Sequence, residues 1–343
     1  MQTHSQDRLL DQQLLAFLGP IDEPALQLLR AELKWVELPA GATLMAQGEA
    51  GDAMYLSISG RLRAYVLDDD GTEHLVREMA RGQVIGEMAL YTDEPRSATV
   101  VAIRDSVLVR LSKPAFQRLL ENSVQASIAL TRQLIRRLQA VQTRSDLARP
   151  VTLALLPITN KVDLAALAAR LAQELRRIVQ GGRVCCVDAD VVDRELGAAG
   201  LARSALLAAG TGAADVDRRI GILLDGIEAA HDVVLLLADA EPTPWTQRCS
   251  RRSDEIVLLA SADEPPALHL SETQFLMRRS GRAEAAEILV LLHPAARRCP
   301  QGTRHWLARR PVSSHINLRP ALARDMARQA RLLAQQGVGL VLA

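Results

Sequence analysis

The sequence predicts a mixed, two-domain protein, in which an N-terminal antiparallel β jelly roll with flanking helices precedes an α/β domain. A chain of 343 residues suits about two domains. From residue 35 to residue 111, short apolar stretches alternate with glycine-containing turns, which favours an antiparallel jelly roll. From residue 151 onward, apolar runs without alternation are separated by helical segments. That pattern is typical of a parallel sheet covered on both faces.

The composition limits the classes of function. Aromatic residues make up 3% of the chain and hydrophobic residues 48%, so the core is built mainly from Leu, Val, Ile and Ala. The 41 basic and 40 acidic residues give a formal net charge of +1, which does not suggest a nucleic-acid partner. No apolar run reaches the roughly 18 residues of a transmembrane segment, and the N-terminus lacks an export signal. We therefore expect a cytoplasmic protein that is at most peripheral at the inner membrane surface.

The sequence contains no constellation typical of catalysis or of metal binding. Its four cysteines form neither a C-x-x-C pair nor a zinc spacing with histidine, and its later histidines are scattered. A G-x-S-x-G nucleophile motif is absent. Cys185 and Cys186 lie in an apolar run and are expected to be buried thiols. We therefore predict no catalytic residue, no metal and no cofactor, and expect this chain alone not to be an enzyme.

The elements of the first domain follow from periodicity and from turn residues. They are predicted as two short helices within 8–33, strands that include 53–59 and 61–67, a helix over 115–121 and a longer helix over 123–146. The longer helix has an apolar stripe of Ile, Leu and Val at helical spacing. Arg149-Pro150 ends it and marks the domain boundary.

Two adjacent turns of the first domain carry residues suited to an anion and a sugar. Gly86-Glu87 opens a turn, and Met88 and Ala89 begin a helical turn whose first N–H groups are free to meet an anion. The Glu87 carboxylate can accept hydrogen bonds from a sugar hydroxyl. This half of the segment therefore predicts contacts to both a phosphate and a ribose.

The other half of the segment supplies a cation and a hydroxyl. Arg96 has a planar fork of donors that fits two phosphate oxygens, Ser97 adds a hydroxyl, and Ala98 leads into a strand. Glycine, glutamate, alanine-leucine, arginine, a hydroxyl residue and alanine occur here in one order. In that order and in the spacing from Glu87 to Arg96, the segment resembles the phosphate-binding cassette of cyclic-nucleotide-binding domains. The run 48–63 resembles the strand pair that precedes that cassette.

The resemblance implies a cyclic-nucleotide-binding fold whose ligand is cAMP or cGMP, with a cyclic dinucleotide left open. The cyclic phosphate is then expected on Arg96, on Ser97 and on the N–H groups around Ala89 and Ala98, and the ribose 2′-OH on Glu87. In such domains the helix corresponding to 123–146 covers the base. Gln142 and Thr143, near its end, are therefore candidate base contacts. The alternatives left open are a purely structural ion pair between Arg96 and Glu87, and a homodimer formed through helix 123–146.

The second domain is predicted as an α/β Rossmann-like parallel sheet rather than a DNA-binding helix-turn-helix. Its predicted strands are 151–158, 183–188, 232–238, 255–260 and 286–292, and its helices are 164–179, 215–230, 245–252 and 319–336. Asn160-Lys161-Val162-Asp163 matches the guanine-reading N-K-x-D pattern, but the chain has no G-x-x-x-x-G-K-[ST] phosphate loop. Asp163 is better placed to cap the helix that begins at Leu164.

Several segments of this domain resemble bacterial neuropathy-target-esterase-like proteins. They are 239–249 (DAEPTPWTQRC), Ser253-Asp254, His293-Pro294, Trp306-Leu307, Arg310 and 315–319. In that family a cyclic-nucleotide domain and an α/β region precede a patatin-like phospholipase domain, which acts as a serine lysophospholipase or esterase. The resemblance implies a patatin-like catalytic domain as a partner, in cis or in trans.

The sequence thus predicts a cyclic-nucleotide-binding domain over 1–148, an α/β relay domain over 149–318, and over 319–343 a helix and first strand that lead into an absent patatin-like domain. Its predicted function is a ligand sensor that regulates a lipid esterase through helix 123–146. The alternative is a dimerisation or interaction scaffold whose cassette binds no nucleotide. A third hypothesis is an esterase with an unrecognised nucleophile.

Overall fold

The computed structural model describes residues 10–11, 13–15, 23–68, 70–122, 128, 151–179, 182–204, 211–276 and 285–334. Contacts divide them into two compact units, one before residue 149 and one after it. Of the predicted helix 123–146, only residue 128 is described, and the predicted last strand lies outside the described residues. None of the described helices is both long and apolar enough to cross a bilayer.

The first unit consists of short strands with three helices among its described elements. In chain order these are α1 (Glu23–Glu32), β1 (Lys34–Leu38), β2 (Thr43–Met45), β3 (Ala53–Ser59), β4 (Leu62–Leu67), β5 (Glu73–Met79), β6 (Val84–Ile85), α2 (Met88–Thr92), β7 (Thr99–Ala102), β8 (Ser106–Ser112) and α3 (Lys113–Asn122). The strands form two four-stranded sheets, in the orders β1-β8-β3-β6 and β2-β7-β4-β5. Every pairing is antiparallel, as predicted.

The alternation of residues along the strands builds the core of this unit. On β4, Leu62 and Ala64 are buried, whereas Arg63 and Tyr65 between and after them are only partly buried. Strands of both sheets contribute to one apolar cluster, which contains Leu38, Met45, Leu62, Ala64, Met79, Ile85, Val100, Ala102 and Leu108. The strands on either side of the segment 86–98 are therefore anchored in a shared core.

The second unit is a parallel sheet with helices on both faces, which confirms the predicted fold class. Its elements are β9 (Thr152–Pro157), α4 (Leu164–Ile178), β10 (Val184–Val187), α5 (Ala189–Leu196), α6 (Thr211–Ala230), β11 (Val233–Leu237), α7 (Pro244–Arg252), β12 (Glu255–Ser261), a π-helical turn (Glu272–Leu276), β13 (Ala286–Leu292), α8 (Thr303–Leu307), β14 (Ser314–Leu318) and α9 (Ala323–Leu333). The six strands lie in the order β10-β11-β9-β12-β13-β14 and pair in parallel.

Each face of this sheet has its own apolar cluster. Leu153 and Leu155 of β9 belong to the cluster that includes residues of α4 and α9. Ala154 and Leu156 of the same strand belong to the cluster that includes Trp245 of α7 and residues of α6. Because both faces are covered, successive side chains of β9 are all buried, and the strand has an apolar run without alternation.

Several elements of the second unit differ from the prediction, including the unpredicted helix α8 and the π-helical turn. The helix expected from Arg319 begins at Ala323, since the residue before Pro320 disfavours helical backbone. Helix α5 was not predicted, although the Asp188 carboxylate accepts a hydrogen bond from the N–H of Val191 and caps it. Strand β14 was also not predicted, because it is a half-exposed edge strand with polar residues in place of an apolar run.

Candidate functional site

Arg96 lies near the end of the segment 86–98 and is buried, with 5% of its surface exposed. Its Nη1 donates a hydrogen bond to the Gly86 carbonyl at 2.7 Å, and its Nη2 donates to the Ala53 carbonyl at 2.6 Å. Its backbone N–H donates to the Glu49 carbonyl, and the N–H of Gly48 donates to the Arg96 carbonyl, both at 2.8 Å. The backbone and the guanidinium of Arg96 are thus both held in place by main-chain groups.

Two glycines allow close approaches of the main chain, one to Arg96 and the other to helix α2. Gly86 has a φ of +78°, and a Cβ atom built there would lie 2.4 Å from Nη1 of Arg96. Only glycine meets both requirements without strain. A Cβ atom at Gly51 would lie 2.2 Å from the Cβ atom of Ala89 in α2. Helix α2 can therefore pack directly against the turn that precedes β3.

The structure brings together most of the residues predicted from the cassette pattern. Glu87 and Ala89, which follow Gly86, are buried, whereas Met88 is exposed. Ser97 is exposed, and Ala98 packs against the core of the first unit. Helix α2 has only five residues, and Glu87 at its N-cap makes no side-chain capping bond. Gln142 and Thr143 lie outside the described residues.

Asp52 also belongs to this site, and the sequence pattern did not reveal it. Its Oδ1 lies 3.5 Å from Nη2 of Arg96, and its Oδ2 accepts a hydrogen bond from Nη2 of Arg110 at 2.6 Å. The side chain of Asp52 is 67% exposed. Burial by itself would lower the pKa of Arg110, but hydrogen bonds to Tyr55 and Asp52 raise it above its usual value. The ion pair is thus available to solvent on the side of Asp52.

In the second unit, a side chain of the protein caps the N-terminus of α4, so this helix end does not offer a free site for phosphate. The Asp163 carboxylate accepts a hydrogen bond from the N–H of Ala166 at 3.0 Å, so the predicted helix cap is confirmed. A carboxylate at this position opposes the binding of an anion at the helix N-terminus. Further along the same edge, Arg203 donates to Asp239 at 2.9 Å and to Asp190 at 2.7 Å. These carboxylates are therefore neutralised within the protein.

The described residues contain no group of three or more His, Cys, Asp or Glu side chains that could hold a metal ion. Cys185 and Cys186 are only partly buried, so the expectation of buried thiols was wrong at both positions. They lie on β10, which is an edge strand of the sheet. Burial raises the pKa of the Cys185 thiol to about 11, which opposes its reactivity as a thiolate.

Comparison with protein families gives a match for each unit. Residues 35–123 match the cyclic nucleotide-binding domain, and residues 150–336 match the neuropathy target esterase family P-loop like domain. The first unit is therefore a cyclic nucleotide-binding domain. The second is a P-loop-like domain whose sequence lacks the G-x-x-x-x-G-K-[ST] motif.

Among curated proteins, the chain is similar to patatin-like phospholipase domain-containing protein 7 of Rattus norvegicus, at 31% identity over 83% of this chain and 22% of the relative. Its identity to protein 6 of the same name in Homo sapiens is 30%, over 84% of this chain and 21% of the relative. Lysophospholipase nte1 of Aspergillus terreus is 29% identical over 81% of this chain and 18% of the relative. The chain thus spans about a fifth of the length of these relatives.

Solved structures give weaker overall matches. The sensor domain of the transcriptional regulator DNR from Pseudomonas aeruginosa is 30% identical, with a TM-score of 0.35 over 41% of this chain and 97% of that chain. The regulatory domain of Toxoplasma gondii PKA, crystallised with cAMP, is 29% identical, with a TM-score of 0.32 over 33% of this chain and 44% of that chain. These scores are too low to carry an argument about fold or ligand. The match over residues 150–336, in contrast, covers more than half of the sequence, and the chain belongs to the neuropathy target esterase family.

Proposed function

We propose that the first unit binds cAMP or cGMP in the segment from Gly86 to Ala98, and that its occupancy regulates a patatin-like lipid esterase domain. The observation that carries the proposal is the buried guanidinium of Arg96, which two main-chain carbonyls hold in place. A charged group is costly to bury unless other groups satisfy it. Here the carbonyls satisfy part of the guanidinium and fix its orientation before any ligand arrives.

The guanidinium retains capacity for a phosphate. An arginine side chain has five N–H donors, so the bonds to the carbonyls of Gly86 and Ala53 do not exhaust it. A planar guanidinium can donate two parallel hydrogen bonds to phosphate oxygens. The Asp52 carboxylate, 3.5 Å from Arg96, competes with such an anion for the same charge. Since Asp52 is largely exposed and also pairs with Arg110, its side chain can leave Arg96 and keep a partner when a ligand binds.

The remaining contacts of the nucleotide are assigned from the positions of the cassette residues. Glu87 accepts the ribose 2′-OH, and the hydroxyl of Ser97 donates to the phosphate. The N–H groups around Ala98 and around Ala89 are proposed as further phosphate contacts. Those around Ala89 contribute less than Arg96, because the helix that begins there has only five residues and a small dipole. Gln142 and Thr143 are proposed to contact the base from helix 123–146.

The regulatory part of the proposal draws on the family. The curated relatives are named as phospholipase-domain proteins and lysophospholipases, so the regulated partner is proposed to be a patatin-like domain in cis or in trans. The signal is proposed to pass through the predicted helix 123–146, whose residues lie between the two units in the sequence and which is also the proposed dimer contact. Ligand binding can shift the equilibrium between two positions of that helix only by as much as the ligand's binding free energy differs between them.

Thermal unfolding with and without nucleotide tests the binding step. A ligand at 100 times its Kd adds about 2.7 kcal/mol of stability, so cAMP or cGMP should raise the melting temperature of the first unit. Arg96→Lys, which keeps the charge but loses the fork, should greatly reduce that shift. Arg118→Ala is the matched control, because Arg118 is exposed and pairs with Glu32 on α1. A wild-type chain that neither nucleotide stabilises would support the scaffold without ligand instead.

A further inference from the structure

A cleft of about 510 Å³ in the second unit lies beside the carboxyl ends of β13 and β14, at the edge of the sheet. Four arginines line it, namely Arg297, Arg298, Arg319 and Arg328. Asp325 is the one acidic residue among its described lining residues. The cleft therefore has an excess of positive charge in a chain whose formal net charge is only +1, although Arg297 pairs with Asp263.

The contacts of these arginines show where that excess lies. Asp325 is already used by Arg319, whose Nε lies 2.7 Å from Oδ2 and whose Nη2 lies 3.3 Å from Oδ1. Nη2 of Arg328 donates only to the backbone carbonyl of Asn317, at 3.1 Å, and no ion pair of Arg328 is found among the described residues. Within the same part of the chain, Arg298 makes neither a hydrogen bond nor an ion pair. Arg298 is thus a cation without a carboxylate partner among the described residues, and Arg328 shares the charge of Asp325 with Arg319 without a direct ion pair.

A buried histidine in the wall of the cleft gives a second, independent indication. His293, directly after β13, has 4% of its surface exposed. Its Nε2 is 2.8 Å from Oδ1 of Asn317, which fixes the ring. Its Nδ1 is buried and has no hydrogen-bond partner among the described residues. Buried polar atoms without a partner are uncommon in folded proteins and often mark a site for a ligand or a water molecule.

Among the described residues, groups of the chain itself occupy two other positions where this unit could bind an anion. A phosphate in an α/β domain is commonly bound at the N-terminus of the helix after the first strand, but here the Asp163 carboxylate occupies that helix N-terminus. Near the end of β11, Asp239 pairs with Arg203, which also pairs with Asp190. Neither position offers the unpaired positive charge that Arg298 supplies in the cleft beside β13 and β14.

We infer that this cleft binds a phosphate-bearing anion, with Arg298 and Arg328 as its main contacts and His293 as a further polar contact. Arginine suits this role because its planar fork can donate to two phosphate oxygens at once. Pro300 and the half-exposed Leu332 give the cleft an apolar wall. With a volume in the range of small-molecule sites, it fits an organic phosphate ester better than a bare ion. The site lies in the other unit and does not depend on the proposed cyclic-nucleotide site.

The test uses the full chain with Arg96→Ala as background, so that phosphate cannot bind at the cassette. Calorimetry at low salt measures the binding of inorganic phosphate and of glycerol 3-phosphate. Sedimentation measures binding to phosphatidylcholine vesicles with and without phosphatidic acid. We expect saturable binding of at least one probe, weakened at least 10-fold by the double substitution Arg298→Glu and Arg328→Glu, and weakened by added salt.

The control is Arg177→Glu, because Arg177 on α4 is 63% exposed and lies outside the cleft. It should leave binding within 2-fold of the unsubstituted background. Binding of glycerol 3-phosphate in solution would identify the ligand source as a free phosphate ester, and binding only to vesicles with phosphatidic acid would identify a lipid headgroup. Failure of every probe to bind, or equal loss in the Arg177→Glu control, would overturn the inference.

Discussion

The guanidinium of Arg96 is buried and has a fixed orientation, because neighbouring main-chain groups bind it. The carbonyls of Gly86 and Ala53 accept its N–H groups, whereas the nearby carboxylate of Asp52 is largely exposed. Gly86 and Arg96 were predicted as ligand contacts from the resemblance to a phosphate-binding cassette, and their contact with the ligand stays a prediction. Asp52 could not be predicted in this way, because its contact with Arg96 forms only when the turn before β3 packs against the segment 86–98.

Gly86→Ala should weaken cyclic-nucleotide binding at least 10-fold, because the new Cβ atom would lie 2.4 Å from Nη1 of Arg96 and displace it. The positive φ adds about 1–2 kcal/mol of backbone strain. Gly71→Ala is the matched control, since Gly71 has a φ of +81° and no atom within 4 Å of the new Cβ. Melting curves should show destabilisation in both variants, and calorimetry should show lost affinity only in Gly86→Ala. Equal affinities in the two variants would contradict this role of Gly86.

Asp52→Asn should strengthen cyclic-nucleotide binding. The substitution removes the carboxylate that competes with the phosphate for Arg96. Exposed ion pairs are worth about 0.2–1 kcal/mol, so the expected gain in affinity is about 1.4- to 5-fold. Asp68→Asn, on the exposed turn between β4 and β5, should change nothing. Weaker binding in Asp52→Asn would show that Asp52 positions Arg96 rather than competing for it.

In helix α4, the side chain of Asp163 both fixes the start of the helix and prevents phosphate binding at its N-terminus. The Asp163 carboxylate caps the helix, so the position of a phosphate loop is filled by a group of the wrong charge. Asp163→Ala should destabilise the second unit by about 0.5–2 kcal/mol, measured by denaturant unfolding. Asp163→Asn, which can still cap the helix, should retain most of that stability. If both variants were equally destabilised, the charge rather than the cap would be responsible.

The second unit also shows which elements a sequence pattern can predict. The buried strands β9, β11, β12 and β13 are continuous apolar runs, because helices cover both faces of the sheet, and all four were predicted. The edge strand β14 has Ser314, His315 and Asn317 at positions that apolar residues occupy in the central strands. Strand β14 is defined by its pairing with β13 rather than by an apolar run, so its sequence alone did not indicate a strand.

At the scale of the whole molecule, a cyclic nucleotide-binding domain precedes a P-loop-like domain of the neuropathy target esterase family. Composition and periodicity predicted the change from antiparallel to parallel sheets near residue 150. The domain boundaries, the base contacts of Gln142 and Thr143, and dimerisation through helix 123–146 stay predictions. They depend on contacts of a segment outside the described residues.

Calorimetric titration of cAMP and cGMP into the wild-type chain and into Arg96→Ala tests the central claim most directly. We expect saturable binding of at least one nucleotide at micromolar or lower concentration. Loss of Arg96 should cost about 2–5 kcal/mol of binding free energy, as for other buried charged contacts. Melting curves of the variant serve to establish that it is folded. If neither nucleotide binds the wild type, or if folded Arg96→Ala binds as tightly as the wild type, the account of this site is wrong.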